Sequence, residues 1–361
     1  MQKIGHIQYQ QKQTIMALHH KIFIPFIIPF LLLVSCSKDD SIAIDDTFFL
    51  RHQGADMPVY VNGNRESKIF VIVLHGAGSF GLSFRNGAFT EHLEQEFAFV
   101  YWDQRGQGTS QGHYSKPENI IELMASDIVA LVGVLKEKYG EDINLFLMGH
   151  SLGGMLGLEA LLKQGLQSEI RGWISLSGAH DFELTRTARA MILYGVADQQ
   201  IEAGNSVSEW EEIQEELKQI TDINVDDSYN LVLSLVPRAS SLIEKDGIVT
   251  TEKPSGLAGT TIFQNNPLTW QISHLFNQPV NYAVENNYSL SEYLPNLTIP
   301  SVWMYGLYDF SVPIYVGGDG YQRAGSFDKE FIIFEKSMHH PHYTESDYFA
   351  ERVYSFINGI L

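Results

Sequence analysis

Six times along this chain an apolar run with no polar face stops abruptly in Gly, Ser, His or Asp. The runs are "KIFVIVLHGAG", "FAFVYWDQRGQG", "INLFLMGHSLGG", "GWISLSGAHD", "PSVWMYGLYD" and "EFIIFEKSMHH". A segment without a hydrophilic side must be covered on both faces, as strands of a parallel sheet between two helical layers are. The polar endings then collect on one edge, past the carboxyl ends of the strands. Between the runs lie helical patterns. "PENIIELMASDIVALVGVLKEKYG" has Pro117 near its start and Gly140 after its last turn. Its Ile121, Met124, Ile128, Leu131, Val132 and Leu135 recur at steps of three and four. "ESDYFAERVYSFINGI" carries a similar stripe. The alternation predicts an α/β fold with a doubly wound, mostly parallel sheet. Ahead of it, "TFFLRHQGADMPVYVNGN" alternates around the turn signal "QGAD" and reads as a β-hairpin.

The rhythm breaks between about Phe182 and Asn296, where no strong strand run occurs. Helical candidates there are Glu183–Gln199, Ser206–Ile220, Tyr229–Lys245 and Leu268–Asn287, and Ser208 with Glu211 has the spacing of a capping box. The segment reads as a helical cap, residues 183–296, inserted into an α/β core formed by 47–182 and 297–361.

The first 35 residues differ in kind. They contain Lys3, Lys12 and Lys21, no acidic residue, and a nearly continuous apolar run from Ile22 to Ser35. That run is short for a membrane span, which takes about 20 residues, and fits the apolar region of a secretory signal. Pro25 and Pro29 also disfavour a long helix. Met16 offers an alternative start that gives a more compact leader. The single cysteine, Cys36, ends "LLVSC" and cannot form an internal disulfide. Leu33 to Cys36 resembles the lipobox of bacterial lipoproteins, which implies Cys36 as the lipid attachment site, residues 36–46 as a linker, and an exported protein anchored in the outer membrane. A net charge of −19 and the absence of any basic block argue against nucleic acid as a partner.

"MGHSLGGM" sets Ser151 between Gly149 and Gly153, after a buried strand and before the helical pattern "LGGMLGLEALLK". A chain turning that sharply from strand to helix strains the serine backbone. Flanking glycines remove the bulk that would clash and lift the hydroxyl clear at a helix amino terminus. A serine nucleophile needs a base, and the base an orienting acid. Asp309 ends "WMYGLYD" and His339 follows "EFIIFEKSM"; their separation accommodates one helix and one strand, which brings neighbouring strand ends together. His340 and His342 are rival bases. "HHPH" could also hint at metal binding, but it lacks a matching Cys or carboxylate–histidine cluster. Acyl transfer develops an oxyanion that backbone N–H groups must hold. Leu152 just after the serine and Ala77 in "LHGAGSFG" are the candidate donors. In "YWDQRGQGTSQG", Asp103 and Arg105 are expected to fold a glycine-rich loop that walls the site.

Taken together, "HGAG", "DQRGQGTS", "GHSLGG", "GLYDFSVP" and "MHHPH" resemble the strand endings of the α/β-hydrolase superfamily over about Thr47 to Leu361. The resemblance implies Ser151 as nucleophile, Asp309 as acid, His339 as base, and Ala77 and Leu152 as oxyanion donors, with no metal or organic cofactor. "YWDQRGQGTSQG" is similar to the matching loop of prolyl-iminopeptidase-like members. Those enzymes usually carry His-Gly-Gly-Pro-Gly where this chain has "HGAGS", a departure that weighs against peptide cleavage and leaves hydrolysis untouched. The expectation is a serine hydrolase acting on a small acyl substrate, a carboxylic ester first. The alternative is an aminopeptidase using Glu209, Glu211, Glu212, Glu215 and Glu216 to hold a substrate amine, although a solvated helix face explains that run more simply. A binding protein that kept the fold without the chemistry is a third possibility, disfavoured by the complete Ser, Asp and His set.

Overall fold

A computed structural model describes residues 46–112, 120–220, 222–223, 226–249 and 287–361. The leader with Cys36, the linker to residue 45, Pro117 and all but the last residue of the expected cap helix Leu268–Asn287 lie outside the described residues.

The hairpin forms as read: β1 (Asp46–His52) and β2 (Ala55–Gly63) pair antiparallel around Gln53 and Gly54. The apolar runs become β3 (Ile69–Leu74), β4 (Ala98–Trp102), β6 (Asn144–His150), β7 (Ile170–Leu176), β8 (Ser301–Gly306) and β9 (Lys329–Phe334). A two-residue strand, β5 (Gln111–Gly112), pairs with β2. The sheet order is β1-β2-β4-β3-β6-β7-β8-β9. From β4 to β9 every neighbouring pair is parallel, while β2 meets β4 antiparallel.

Helices follow the strands: α1 (Ile120–Tyr139), α2 (Leu152–Lys163), α6 (Ile314–Arg323) and α7 (Ser346–Ile360), with α3 (Phe182–Ala203), α4 (Val207–Leu217) and α5 (Asp226–Lys245) between β7 and β8. The period-two geometry of a strand sorts its side chains between two layers. On β3, Phe70, Ile72 and Leu74 face the layer of α1 and α2, whereas Val71 and Val73 face Phe349, Val353 and Ile357 of α7. On β6, Leu145 and Leu147 take the first side, Phe146 and Met148 the second.

Two expectations need correcting. The run ending at His339 is not buried on both faces, because β9 closes the sheet as an edge strand, where Glu330 and Ile333 reach solvent. The capping box at Ser208 does not form either. The fourth helix starts at Val207, and Ser208 bonds to its neighbour Glu209 instead. Ser206 precedes the helix in a left-handed conformation, and its hydroxyl reaches Asp246 at 2.7 Å.

The helices α3, α4 and α5, which fall in the segment expected to form a cap, share a core of their own built from Ile192, Leu193, Val196, Trp210, Ile213, Val232, Leu235 and Ile243. Tyr308 and Phe310, from the turn after β8, join it.

Candidate active site

Ser151 lies between the last residue of β6 and the first of α2 with φ 55° and ψ −119°. A non-glycine residue there costs about 1–3 kcal/mol and persists only where surrounding packing enforces it. The packing is tight. A Cβ on Gly149 would come within 2.5 Å of the Gly153 carbonyl oxygen, and one on Gly153 within 2.0 Å of the Leu74 carbonyl oxygen. Those approaches press the first turn of α2 against β3 and fix the serine at the helix head.

Asp309 and His339 meet. The fully buried Asp309 turns Oδ2 to His339 Nδ1 at 2.8 Å, and its Oδ1 accepts the N–H groups of Ser311 and Val312 at 2.8 and 2.9 Å. A carboxylate only accepts, so Nδ1 carries the hydrogen and Nε2 is left as the acceptor. Among the described residues neither His339 Nε2 nor the Ser151 hydroxyl has a hydrogen-bond partner. The Ser151 to His339 contact is therefore not made here. Such bonds commonly tighten only around substrate.

What joins the serine turn to the histidine loop is His150, a residue that sequence reasoning did not single out. Its Nε2 donates to the His339 carbonyl at 2.9 Å, and its ring centroid is 4.6 Å from that of His339. Burial holds the His150 imidazole well below its ordinary pKa, with the neighbouring His339, His340 and His342 acting in the same direction. The variable position of Gly-x-Ser-x-Gly gives no warning of such a role, since the partner carbonyl lies far away in sequence.

The rival bases are accounted for by packing. His342 is buried, stacks on Phe84 at 4.8 Å, and has neither ring nitrogen hydrogen-bonded. His340 stacks on His150 at 5.0 Å and makes no contact with Asp309 like that of His339. Among the described residues no group of three or more His, Cys, Asp or Glu is arranged to hold a metal.

The loop after β3 is held from behind. The Gln104 N–H reaches His75 Nε2 at 3.2 Å, so Nδ1 of His75 is the donor to the Gly76 carbonyl at 2.8 Å. Burial pushes the His75 pKa down to about 4. Gly78 N–H goes to Gln107 Oε1 at 2.8 Å. The Ala77 N–H between them has no partner among the described residues, nor has that of Leu152 at the amino terminus of α2. Two candidate oxyanion donors are thus unspent.

Asp103 and Arg105 do fold the neighbouring loop. Asp103 accepts the N–H groups of Gly81 and Thr109 at 2.9 and 2.7 Å, and burial raises its pKa. Arg105 forms a fully buried two-point contact with Asp127 at 2.9 and 2.7 Å and donates to the carbonyls of His52 and Gln53. The cap glutamates face solvent: Glu209 meets Lys245, Glu212 and Glu216 meet Arg238, and Glu215 meets Lys218. Glu211 is exposed.

Comparison with known proteins bears on the fold that carries these residues. Residues 65–224 match the family described as "Serine aminopeptidase, S33". The chain is 22 % identical over 307 residues to "Probable aminopeptidase YbaC" of Bacillus subtilis (strain 168), covering 80 % of this chain and 89 % of that protein. It is similar to the crystal structure of the esterase RhEst1 from Rhodococcus sp. ECU1013, with TM-score 0.57 at 17 % identity over 88 % of this chain and 99 % of the other. It is also similar to proline iminopeptidase of Mycobacterium smegmatis, with TM-score 0.53 at 16 % identity over 87 % and 98 %. Sheet order, the serine turn between β6 and α2, and these likenesses together give the chain the α/β-hydrolase fold.

Proposed function

We propose that the protein is a serine hydrolase cleaving carboxylic esters through an acyl-enzyme intermediate. The observation that carries this reading is the Asp309–His339 pair, with Nε2 left as an acceptor on the sheet edge that carries the strained Ser151. Ser151 Oγ attacks the acyl carbon while His339 Nε2 takes its proton; Asp309 holds the ring in that tautomer and stabilises the imidazolium. The N–H groups of Ala77 and Leu152 receive the oxyanion. As the tetrahedral adduct collapses, the His339 proton passes to the leaving alkoxide. Water then repeats the sequence, releasing the acid and restoring Ser151. No step calls on a metal or organic cofactor.

An ester is preferred to a peptide because the cap glutamates that would grip a free amine are turned outward onto Lys245, Arg238 and Lys218. The aminopeptidase reading stands second, supported by the family match and by YbaC. A fluorophosphonate probe should label the enzyme and fail on Ser151→Ala; equal labelling of both would remove the serine from the mechanism. Turnover of p-nitrophenyl acyl esters against amino-acyl naphthylamides then decides between the substrate classes, and cleavage of amides alone would overturn the ester assignment.

We also propose that the chain is exported and lipid-anchored through Cys36, on the strength of "LLVSC" after the apolar leader. Stable anchoring takes more than one acyl chain, which a lipoprotein cysteine carries. Cys36→Ser should abolish palmitate incorporation and release the protein from the membrane fraction; unchanged partition would refute the anchor.

A further inference from the structure

Cap helices in an enzyme of this shape are naturally assigned to substrate enclosure, yet here the cap grips the loop that carries the acid. Tyr308 and Phe310, on either side of Asp309, are buried in the cap's own apolar core beside Ile192, Leu193 and Trp210. A polar chain runs through the same junction. Arg189 of α3 donates from Nε to the Ser311 carbonyl at 2.8 Å; the Val312 N–H, in the same peptide as that carbonyl, donates to Asp309 Oδ1 at 2.9 Å; Asp309 Oδ2 receives His339 Nδ1–H at 2.8 Å. Arg189 is itself held, because one terminal nitrogen donates to the hydroxyl of Tyr229 on α5. The guanidinium of Arg186, one turn earlier on α3, lies 4.6 Å over the Tyr229 ring. Two cap helices thus fix the arginine, the arginine fixes a peptide, and that peptide fixes the carboxylate.

We propose that Arg189 is a positioning residue for the acid–base pair: by holding the Ser311 carbonyl it sets the loop of Asp309, so that seating of the cap and alignment of His339 are one event. The inference rests on the reading of Ser151, Asp309 and His339 given above. It separates Arg189 from a residue that merely lines a substrate pocket, since a lining residue changes binding, whereas Arg189 acts on the imidazole through Asp309. The groups packed around that imidazole are Asp309, His150 and His340, with His342 behind them.

The test is steady-state kinetics of the full chain on a p-nitrophenyl ester across pH, with thermal unfolding as a control for folding. Arg189→Met keeps the stem and removes the donors. It should lower kcat about 10- to 100-fold, the range a small misplacement of catalytic groups produces, with KM within about threefold. The acid limb of the profile should move to lower pH, because a less well placed carboxylate supports the imidazolium less. Arg189→Lys, which can still reach one carbonyl, should recover most of the loss. In an Asp309→Asn background, adding Arg189→Met should cost less than about twofold, because the residue through which it acts is already disabled. A rise in KM with kcat and acid limb unchanged overturns the proposal, as does an undiminished loss in the Asp309→Asn background. Where Arg189→Met does not fold, Tyr229→Phe reads the same effect: a lower kcat with the limb displaced the same way supports the proposal, and an unmoved limb overturns it. Full activity of Ser151→Ala would instead overturn the site reading, and this inference with it.

Discussion

Replacing Asp309 by asparagine tests the site at its most constrained atom. The two oxygens of Asp309 are not equivalent: Oδ1 accepts two backbone N–H groups, from Ser311 and Val312, and Oδ2 accepts His339 Nδ1–H. An asparagine must choose how to lie. Turning its amide nitrogen toward the two backbone donors would leave both buried hydrogens unpaired, at about 1–3 kcal/mol each. The oxygen therefore stays with the backbone and the NH2 faces His339. Nδ1 must then accept, its hydrogen moves to Nε2, and the ring can no longer take a proton from Ser151. In another serine triad that tautomer error costs about 10⁴-fold in kcat, equivalent to about 5.5 kcal/mol at 1.36 kcal/mol per decade. Asp309→Ala removes the orienting group and the charge together, so its loss should be of the same order, about 10⁴-fold. The assay is kcat on a p-nitrophenyl ester at pH 8, with ¹H NMR of the imidazole N–H to read the tautomer. A loss below about tenfold for Asp309→Asn, or a proton found on His339 Nδ1 in that variant, would refute the reasoning.

Three further outcomes follow from the same geometry. Ser151→Gly relieves the positive-φ strain at 55° and should raise stability to urea by about 1 kcal/mol while abolishing turnover; a destabilised variant would show that the serine is not strained. Buried His75, His150 and His342 have folded pKa values below the unfolded value of 6.5, His75 at about 4. Below pH 6.5 the unfolded chain takes protons that the folded one refuses, so stability is full above 6.5 and lost as pH falls toward 4, by about 3 kcal/mol for His75 alone. Urea midpoints at pH 7, 6 and 5 should fall in that order, and a flat series would contradict it. Arg105→Met leaves the buried Asp127 carboxylate with His52 Nδ1 as its remaining side-chain partner and should destabilise by about 3 kcal/mol, measured by chemical denaturation; a neutral result would mean that the pair is dispensable.

Much of the fold was legible because burial on both faces leaves no polar period in a strand. Val71 and Val73 had to be as apolar as Phe70 and Ile72, since each set meets its own helical layer. The same logic misled at β9, where Phe331 and Phe334 make the run look central although the sheet ends there. The meeting of Asp309 and His339 could be anticipated because both follow adjacent parallel strands, and topology then does the positioning. His150 and Arg189 could not. Each acts on a backbone carbonyl remote in sequence, and a carbonyl leaves no mark in the identity of the residue that bears it. His342, named from the sequence as a rival base, misled for the opposite reason: "HHPH" looks polar, but its ring is packed among Phe84, Tyr343 and Phe349 as an aromatic would be.

The position of the first strand has a mechanical consequence. In the order β1-β2-β4-β3-β6, the strand that receives any tension applied ahead of Asp46 is the outermost one, and two further strands separate it from those bearing Ala77 and Ser151. A tug on the front of the chain would first peel β1 from β2 like a zip, spending its work on seven residue pairs that lie away from β3 and β6. Under the anchoring proposed through Cys36, jostling at the leading end would be absorbed first by this sacrificial margin.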